Sequence, residues 1–167
     1  MSGTSEILAR MKRITGARYS VLVPNVKGLS MLLELLDRHN ASEGPPLTDE
    51  IAIFVAASES FSRANINCSI AESLERVAPV AELALSRGLR VRGYVSTVIT
   101  CPYEGPISPT AVRDVSKSLI GMGCYEVSLG DTTGEGTPAT MAQMLDKVLS
   151  VIRPDQLAVC LIPWNSC

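Results

Sequence analysis

The chain has 167 residues, of which 46% are hydrophobic and 19% are charged, a composition typical of one globular domain and unlike that of a disordered chain. The formal net charge of −2 gives no basic field for nucleic acid, and no apolar run approaches the roughly 20 residues of a membrane span. The five cysteines form no CxxC pair, so reduced thiols are favoured over a disulfide framework.

Short apolar strands and helical stripes alternate through the first half of the chain. Apolar residues recur at helical spacing over residues 7–14, which favours an amphipathic helix over a mitochondrial transit peptide. The elements predicted next are a strand, a helix, a loop rich in Pro and Gly, and a second strand, over residues 20–23, 29–38, 39–49 and 51–55.

Capping signals mark the helices of the second half. Residues 69–72 have the spacing of a capping box, and Gly88 is placed to end the helix that follows. Ser-Pro at 108–109 and Thr-Pro at 137–138 each put an N-cap residue before a proline at the first helical position. The strands predicted between these helices cover residues 90–95, 125–129 and 157–161.

These strands recur at regular intervals with a helix between each, which is the βαβ rhythm of a parallel sheet. Right-handed crossovers are expected between them. The rhythm fits either an open, doubly wound sheet or part of a closed barrel, and periodicity does not separate the two. In both architectures the functional site lies beyond the carboxyl ends of the strands.

Polar residues stand at those predicted strand ends, at 24–25, 58–59, 94–97 and 131–132. Asp131 is compatible with a metal ligand, a general base, a residue that orients another ligand, or a cap of the following turn. The glycine-rich loop over residues 130–138 is able to hold an anion at a helix N-terminus. It lacks GxGxxG and the P-loop lysine, so a nucleotide site is only weakly indicated.

Three further side chains have alternative interpretations. Tyr94 is either a core residue or, at the mouth of a barrel, a ligand of a carboxylate or carbonyl oxygen. Cys101 is interpreted as a buried, inert thiol rather than a reactive one. His39 is the single histidine and adjoins a predicted surface loop, so a solvated role is favoured over a catalytic one.

Two runs of residues are specific enough to indicate a family: Cys-Pro-Tyr-Glu-Gly at 101–105 and Ser-Leu-Gly-Asp-Thr at 128–132. Together with residues 23–28, 56–61, 65–70 and 92–96, they resemble the 3-hydroxy-3-methylglutaryl-CoA lyase family. The resemblance covers about residues 5–159. It implies a (β/α)₈ TIM barrel, of which this chain would supply about strands 3 to 7. Residues 1–167 would then form a single partial domain of the pyruvate carboxyltransferase-like type.

The resemblance implies cleavage of 3-hydroxy-3-methylglutaryl-CoA to acetyl-CoA and acetoacetate, in leucine breakdown and ketone-body formation. Members of the family use a divalent cation, Mg²⁺ or Mn²⁺, to hold and polarise the substrate oxygens. Cys101 matches a family cysteine that is not the catalytic one. The residues that match the catalytic set are Asp131, Tyr94 and Thr132. The residues that match the acyl-CoA side are Asn65, Asn67 and Ser69.

The metal-binding residues of the family, and some of its other catalytic residues, have no counterpart in this sequence. The Arg-Asp pair of the first strand, the His-x-His of the seventh strand, and the later asparagine and catalytic cysteine are all unmatched. We therefore expect no metal ligand to be retained and this polypeptide to be inactive alone. Residues 160–167 are predicted to be an aberrant tail. Ile162-Pro163 stands where the family has Asp-Thr, as a frame shift or a misplaced exon boundary would produce.

The resemblance also implies an acyl-CoA substrate, a homodimer for the complete protein, and a mitochondrial matrix location, with cytoplasmic or peroxisomal alternatives. Neither nucleic acid nor membrane is expected as a partner. Two other functions stay open from sequence. One is a non-catalytic, truncated barrel that binds acyl-CoA or a partner subunit. The other is a flavodoxin-like nucleotide binder.

Overall fold

A computed structural model describes residues 4–12, 14, 17–40 and 47–160. The helices are α1 (Thr4–Arg10), α2 (Val26–Asn40), α3 (Glu59–Ile66), α4 (Ile70–Ser86), α5 (Pro109–Gly121) and α6 (Pro138–Leu149). The strands are β1 (Ser20–Leu22), β2 (Glu50–Ala56), β3 (Arg90–Ser96), β4 (Thr100–Cys101), β5 (Gly105–Pro106), β6 (Glu126–Gly130) and β7 (Leu157–Cys160). A 3₁₀ turn at Pro154–Gln156 leads into β7.

Five strands form one sheet in the order β1-β2-β3-β6-β7, and every neighbouring pair in it is parallel. This order follows the chain without reversal. A doubly wound sheet contains a point at which its strand order reverses, and the described sheet has no such point. The order therefore argues against the flavodoxin-like alternative and matches part of a barrel wall. The strands β4 and β5 pair with each other as a separate antiparallel hairpin, residues 100–106.

The core lies between the sheet and the helices that connect its strands. Alternate residues of β2 and β3, among them Ile53, Val55 and Val91, are fully buried. Helix α4 contacts both strands, and α5 packs on β3. A Cβ on Gly93 would meet Leu119 Cδ1 at 3.0 Å, so the absence of a side chain at this position lets α5 lie close to the sheet.

The opposite face of the sheet is more open and carries charge. Arg92 of β3 and Glu126 of β6 occupy the same register and form an ion pair on it. Leu22 of β1 is 43% exposed on a strand with a single partner in the described sheet. Charged and exposed apolar side chains on one face are expected for the inner face of a barrel when only some of its strands are present.

The amino end of the sheet contains a buried acidic residue. Glu50 is 2% exposed, and its carboxylate accepts a hydrogen bond of 2.8 Å from the Tyr125 hydroxyl. The Arg90 guanidinium lies 3.8 Å from the same carboxylate oxygen and 3.7 Å from the centre of the Tyr125 ring. This cluster joins β2, β3 and the start of β6. It satisfies a charge that would otherwise be costly to bury.

Several element boundaries differ from the sequence predictions. The helix predicted over residues 7–14 ends at Arg10; Leu8 is buried, whereas Ile7 and Ile14 are exposed. Helix α2 begins earlier than predicted and continues through His39. Residues 41–46 of the predicted loop and residues 161–167 of the predicted tail lie outside the described residues. Cys160, the first residue of that tail, still pairs with Gly130 in β7.

The predicted caps of α4, α5 and α6 are confirmed. Ser69 and Glu72 form a capping box, with hydrogen bonds of 3.1 Å and 2.7 Å between each side chain and the other residue's backbone N–H. Ser108 and Thr137 cap the two helices that begin with proline. Within the described residues, no helix is long and apolar enough to cross a membrane.

Alkaline pH is expected to weaken the fold through Cys124, because burial raises the pKa of this thiol to about 12. The folded state thus favours the neutral thiol. Its contribution is complete below the ordinary thiol pKa of about 8.5 and is lost as the pH rises through the folded value. Between about pH 8.5 and the folded pKa, we expect the free energy of unfolding to fall by about 1.4 kcal/mol per pH unit. Burial and the Glu50 hydrogen bond also raise the pKa of Tyr125, which adds a second loss above about pH 10.

Urea unfolding between pH 8 and pH 10.5 under reducing conditions measures this slope. Cys124→Ala should flatten it below pH 10, and Tyr125→Phe should flatten only the part above pH 10. Equal slopes in the wild type and Cys124→Ala would contradict the prediction.

Candidate active site at the carboxyl ends of the strands

Asp131 is the first residue after β6 and is 2% exposed. Its Oδ2 accepts a hydrogen bond of 2.8 Å from the Gly136 N–H, and its carbonyl accepts one of 3.2 Å from the Gly134 N–H. Its Oδ1 is buried and has no hydrogen-bond partner among the described residues. A buried carboxylate oxygen without a partner is costly. The loop therefore orients the carboxylate through Oδ2 and leaves Oδ1 buried without a hydrogen-bond partner.

The approach of the loop backbone to Asp131 requires a glycine. A Cβ on Gly136 would lie 2.6 Å from Asp131 Oδ2, so any side chain there displaces the carboxylate. Gly134 has a φ of +72°, in the left-handed region that glycine adopts without strain. The predicted anion site in this glycine-rich loop is thus occupied, at Gly136, by the chain's own carboxylate.

Gly136→Ala is expected to lower the free energy of unfolding by about 1–3 kcal/mol, because it breaks a hydrogen bond to a buried charge. Chemical denaturation measures the change. Gly121→Ala is the matched control, since a Cβ there meets nothing within 4 Å. An alanine at the end of α5 should be neutral or stabilising. Equal stabilities for the two variants would contradict this account of the loop.

Thr132 joins the ends of β3 and β6. Its Oγ1 accepts a hydrogen bond of 2.8 Å from the Thr97 N–H, and the Gly130 carbonyl accepts one of 3.3 Å from the Val98 N–H. Thr97 is fully buried and has a φ of +57°. Left-handed backbone is rare for a β-branched residue and is found where the surroundings impose it.

Tyr94 lies on β3 in register with Phe54 of β2 and Ser128 of β6. Its side chain is half-buried, and the Arg92 guanidinium stands 5.3 Å from the ring centre. This placement is on the open face of the sheet rather than in the core against the helices. Tyr94 therefore sits on the strand next to that of Asp131, facing the space that a barrel would enclose.

The three residues predicted for the acyl-CoA side follow β2. Asn65 is exposed near the end of α3, and Asn67 caps that helix with a φ of +51°. The Ser69 hydroxyl accepts the Glu72 N–H in the capping box, so it already has a structural role. Among the described residues, no hydrogen bond connects these three with Asp131, Thr132 or Tyr94. Asp131 and Thr132, which are adjacent in sequence, follow β6, whereas the other three residues follow β2, and β3 lies between these two strands.

Sequence reasoning did not identify the contacts of the hairpin of β4 and β5. Cys101 is 2% exposed, and its Sγ accepts hydrogen bonds from the Ser58 hydroxyl at 3.0 Å and the Tyr103 N–H at 3.4 Å. The Glu104 carboxylate accepts a 2.7 Å bond from the Ser60 hydroxyl. The hydroxyls of Ser58 and Ser60 lower the pKa of Glu104. Burial supports the interpretation of Cys101 as an unreactive thiol.

Cys160 lies next to Asp131. Its carbonyl accepts a hydrogen bond of 3.1 Å from the Asp131 N–H, and its side chain is exposed. Within the described part of the chain, no three His, Cys, Asp or Glu side chains are grouped so that they could hold a metal ion. Asp131 Oδ1 is a single carboxylate oxygen without a hydrogen-bond partner among these residues. The described residues alone do not fit a divalent-cation site.

The sequence of this chain is similar to those of known proteins. A family model described as HMGL-like matches residues 32–161. The chain is 48% identical to the cytoplasmic 3-hydroxy-3-methylglutaryl-CoA lyase of Mus musculus, over 95% of this chain and 43% of that protein. It is 46% identical to the mitochondrial hydroxymethylglutaryl-CoA lyase of Bos taurus, over 95% of this chain and 46% of that protein.

A solved structure extends the similarity to the fold. The HMG-CoA lyase from Brucella melitensis superposes with a TM-score of 0.87 at 49% identity, over 96% of this chain and 53% of that one. The chain thus spans about half the length of the relatives it matches. The strand order and this superposition confirm the predicted fold, a partial (β/α)₈ barrel. The chain belongs to the 3-hydroxy-3-methylglutaryl-CoA lyase family.

Proposed function

We propose that this chain supplies the carboxyl-end loops of a site that cleaves 3-hydroxy-3-methylglutaryl-CoA to acetyl-CoA and acetoacetate, a step of leucine breakdown and ketone-body formation. The observation that carries the proposal is the Asp131 carboxylate, which is buried, oriented by Gly136 and without a hydrogen-bond partner at Oδ1. The names of the relatives supply the substrate class, a CoA thioester.

Cleavage of 3-hydroxy-3-methylglutaryl-CoA requires an acceptor for the hydroxyl proton and groups that bind the substrate oxygen atoms. When the proton leaves the C3 hydroxyl, C3 becomes a ketone and the C2–C3 bond breaks. The electron pair goes to C2 of the acetyl-CoA product, which is then protonated. Asp131 Oδ1 is the acceptor for the hydroxyl proton, and the Tyr94 hydroxyl binds a substrate oxygen. Asn65 and Asn67, both exposed, lie on the side assigned to acyl-CoA.

A divalent cation, Mg²⁺ or Mn²⁺, would polarise the substrate oxygens when bound. Because the described residues do not form such a site, residues 1–167 alone are proposed to be inactive. Ligands from other segments of a complete barrel would be needed. We further propose that the complete protein is a dimer and that it is located in the mitochondrial matrix. Cytoplasmic and peroxisomal locations are the alternatives, and subcellular fractionation distinguishes the three.

One observation favours a second candidate, a non-catalytic barrel segment that binds a partner subunit or acyl-CoA. A groove of about 360 Å³ lies between β1 and α2, and Leu22 and Met31 in its lining are exposed. Size-exclusion chromatography with and without acyl-CoA addresses this candidate. A stable monomer that does not bind acyl-CoA would eliminate it.

A chimera tests the proposed function. Residues 5–159 replace the matching segment of the Bos taurus lyase, so that the remaining barrel elements come from that protein. We expect turnover of 3-hydroxy-3-methylglutaryl-CoA within about tenfold of the parent, because the loops of this chain would then face a complete set of partners. Circular dichroism and a thermal melt establish that the chimera is folded. A folded chimera without turnover would refute the proposal.

A further inference from the structure

The turn at Thr97 has a left-handed backbone conformation that other residues must stabilise. Thr97 follows β3 directly, is fully buried and has a φ of +57°. Among the described residues, the other non-glycine residue with positive φ is Asn67, a type that tolerates this conformation at a helix end. A β-branched residue does not choose left-handed backbone unless its neighbours impose it.

The restraint comes from the loop after β6. The Thr132 hydroxyl oxygen accepts the Thr97 N–H at 2.8 Å, and the Gly130 carbonyl accepts the Val98 N–H at 3.3 Å. Thr132 itself is exposed, so burial of its side chain does not explain its position. Its hydrogen bond ties residues 35 positions apart in the chain.

The turn at Thr97 directs the chain into the hairpin of β4 and β5, which reaches the other side of the site. The hairpin is closed by the Ile107 N–H, which donates to the Ile99 carbonyl at 2.8 Å. At α3 it is attached by the Ser58–Cys101 and Ser60–Glu104 hydrogen bonds. The hairpin is thus attached at its base to the β6 loop and at its far end to α3.

We propose that Thr132 is a positioning residue, not a catalytic one: its hydroxyl fixes the Thr97 turn and so holds the hairpin against α3. This closes the site between the loops that follow β2, β3 and β6. The inference rests on the proposed function only in taking these loops as the walls of the site. The contacts themselves involve no substrate, so they can be tested without it.

Alkylation of the buried thiols in the full chain provides the test. Cys101 is the buried thiol of the hairpin itself, whereas Cys68 and Cys124 are buried elsewhere and report general loosening. Peptide mass spectrometry follows N-ethylmaleimide labelling of each thiol. Thr132→Val keeps the shape and removes the acceptor, and should speed labelling of Cys101 at least tenfold while leaving the other two within twofold. Thr132→Ser keeps the hydroxyl and should restore the wild-type rate.

The control is Thr140→Val, which removes a hydroxyl from the α6 capping box and should leave Cys101 protected. Because Thr132 is exposed, Thr132→Val is not expected to prevent folding. Amide hydrogen exchange gives a second measurement: the Thr97 N–H should lose protection in Thr132→Val and keep it in Thr132→Ser. Unchanged Cys101 labelling in Thr132→Val, or equal acceleration at all three thiols, would overturn the inference. Loss of chimera activity with intact labelling behaviour would count against the proposed reaction alone.

Discussion

Asp131→Asn in the chimera is expected to lower kcat by about 10²- to 10⁴-fold, the range for loss of a positioned general base. Asparagine has nearly the same shape, and its carbonyl oxygen can still accept the Gly136 N–H. The amide nitrogen then takes the place of Oδ1, where it donates a hydrogen bond and cannot accept a proton. The substitution therefore removes the acceptor and preserves the packing of the loop. Release of acetoacetate measures the effect.

Glu135→Gln is the matched control, since Glu135 is an exposed acidic residue of the same loop. Its effect on kcat should remain below about threefold, because exposed charges are screened by solvent. Equal activities of Asp131→Asn and Glu135→Gln would show that Asp131 is not the general base. A variant that melts well below the chimera would attribute the loss to folding instead, so thermal melts accompany the kinetics.

Glu50→Ala is expected to destabilise the chain by about 3–5 kcal/mol, the range found when one partner of a buried charged pair is removed. The substitution leaves the Tyr125 hydroxyl without its acceptor and the Arg90 guanidinium without its nearest carboxylate. It also opens a cavity at the amino end of the sheet. Urea unfolding at neutral pH measures the loss.

Two variants calibrate this result. Glu50→Gln keeps an acceptor for Tyr125 and should cost less than Glu50→Ala. Glu82→Ala removes an exposed carboxylate from α4 and should change the free energy of unfolding by less than about 0.5 kcal/mol. If Glu50→Ala were as mild as Glu82→Ala, the cluster at the amino end would not stabilise the fold as described.

The βαβ order was predictable from sequence because each strand is a short apolar run and each later helix begins at a recognisable cap. Ser69, Ser108 and Thr137 all cap helices as predicted. Helix α3 was missed because it is short and shows no clear apolar stripe. The hairpin of β4 and β5 was missed because each strand has two residues and alternation cannot be seen over that length.

The candidate site was only partly accessible from sequence. Asp131 was found from its position at the end of a predicted strand and from a motif that resembles a family, and both give its identity without its environment. The role of Gly136 depends on how closely the loop backbone approaches the carboxylate, and the bond between Thr97 and Thr132 depends on the register of β3 against β6. The burial of Glu50 was likewise not predictable, because a glutamate at the start of a strand usually faces water. Its burial results from Tyr125, a residue 75 positions later.

The chain belongs to the lyase family, and we propose that it carries part of a site that residues 1–167 do not complete alone. Turnover by purified residues 1–167, with 3-hydroxy-3-methylglutaryl-CoA and excess Mg²⁺ or Mn²⁺, tests this proposal most directly. The chimera of residues 5–159 serves as the positive control. We expect no acetoacetate above the enzyme-free background from residues 1–167. Turnover near that of a full-length lyase would contradict the claim.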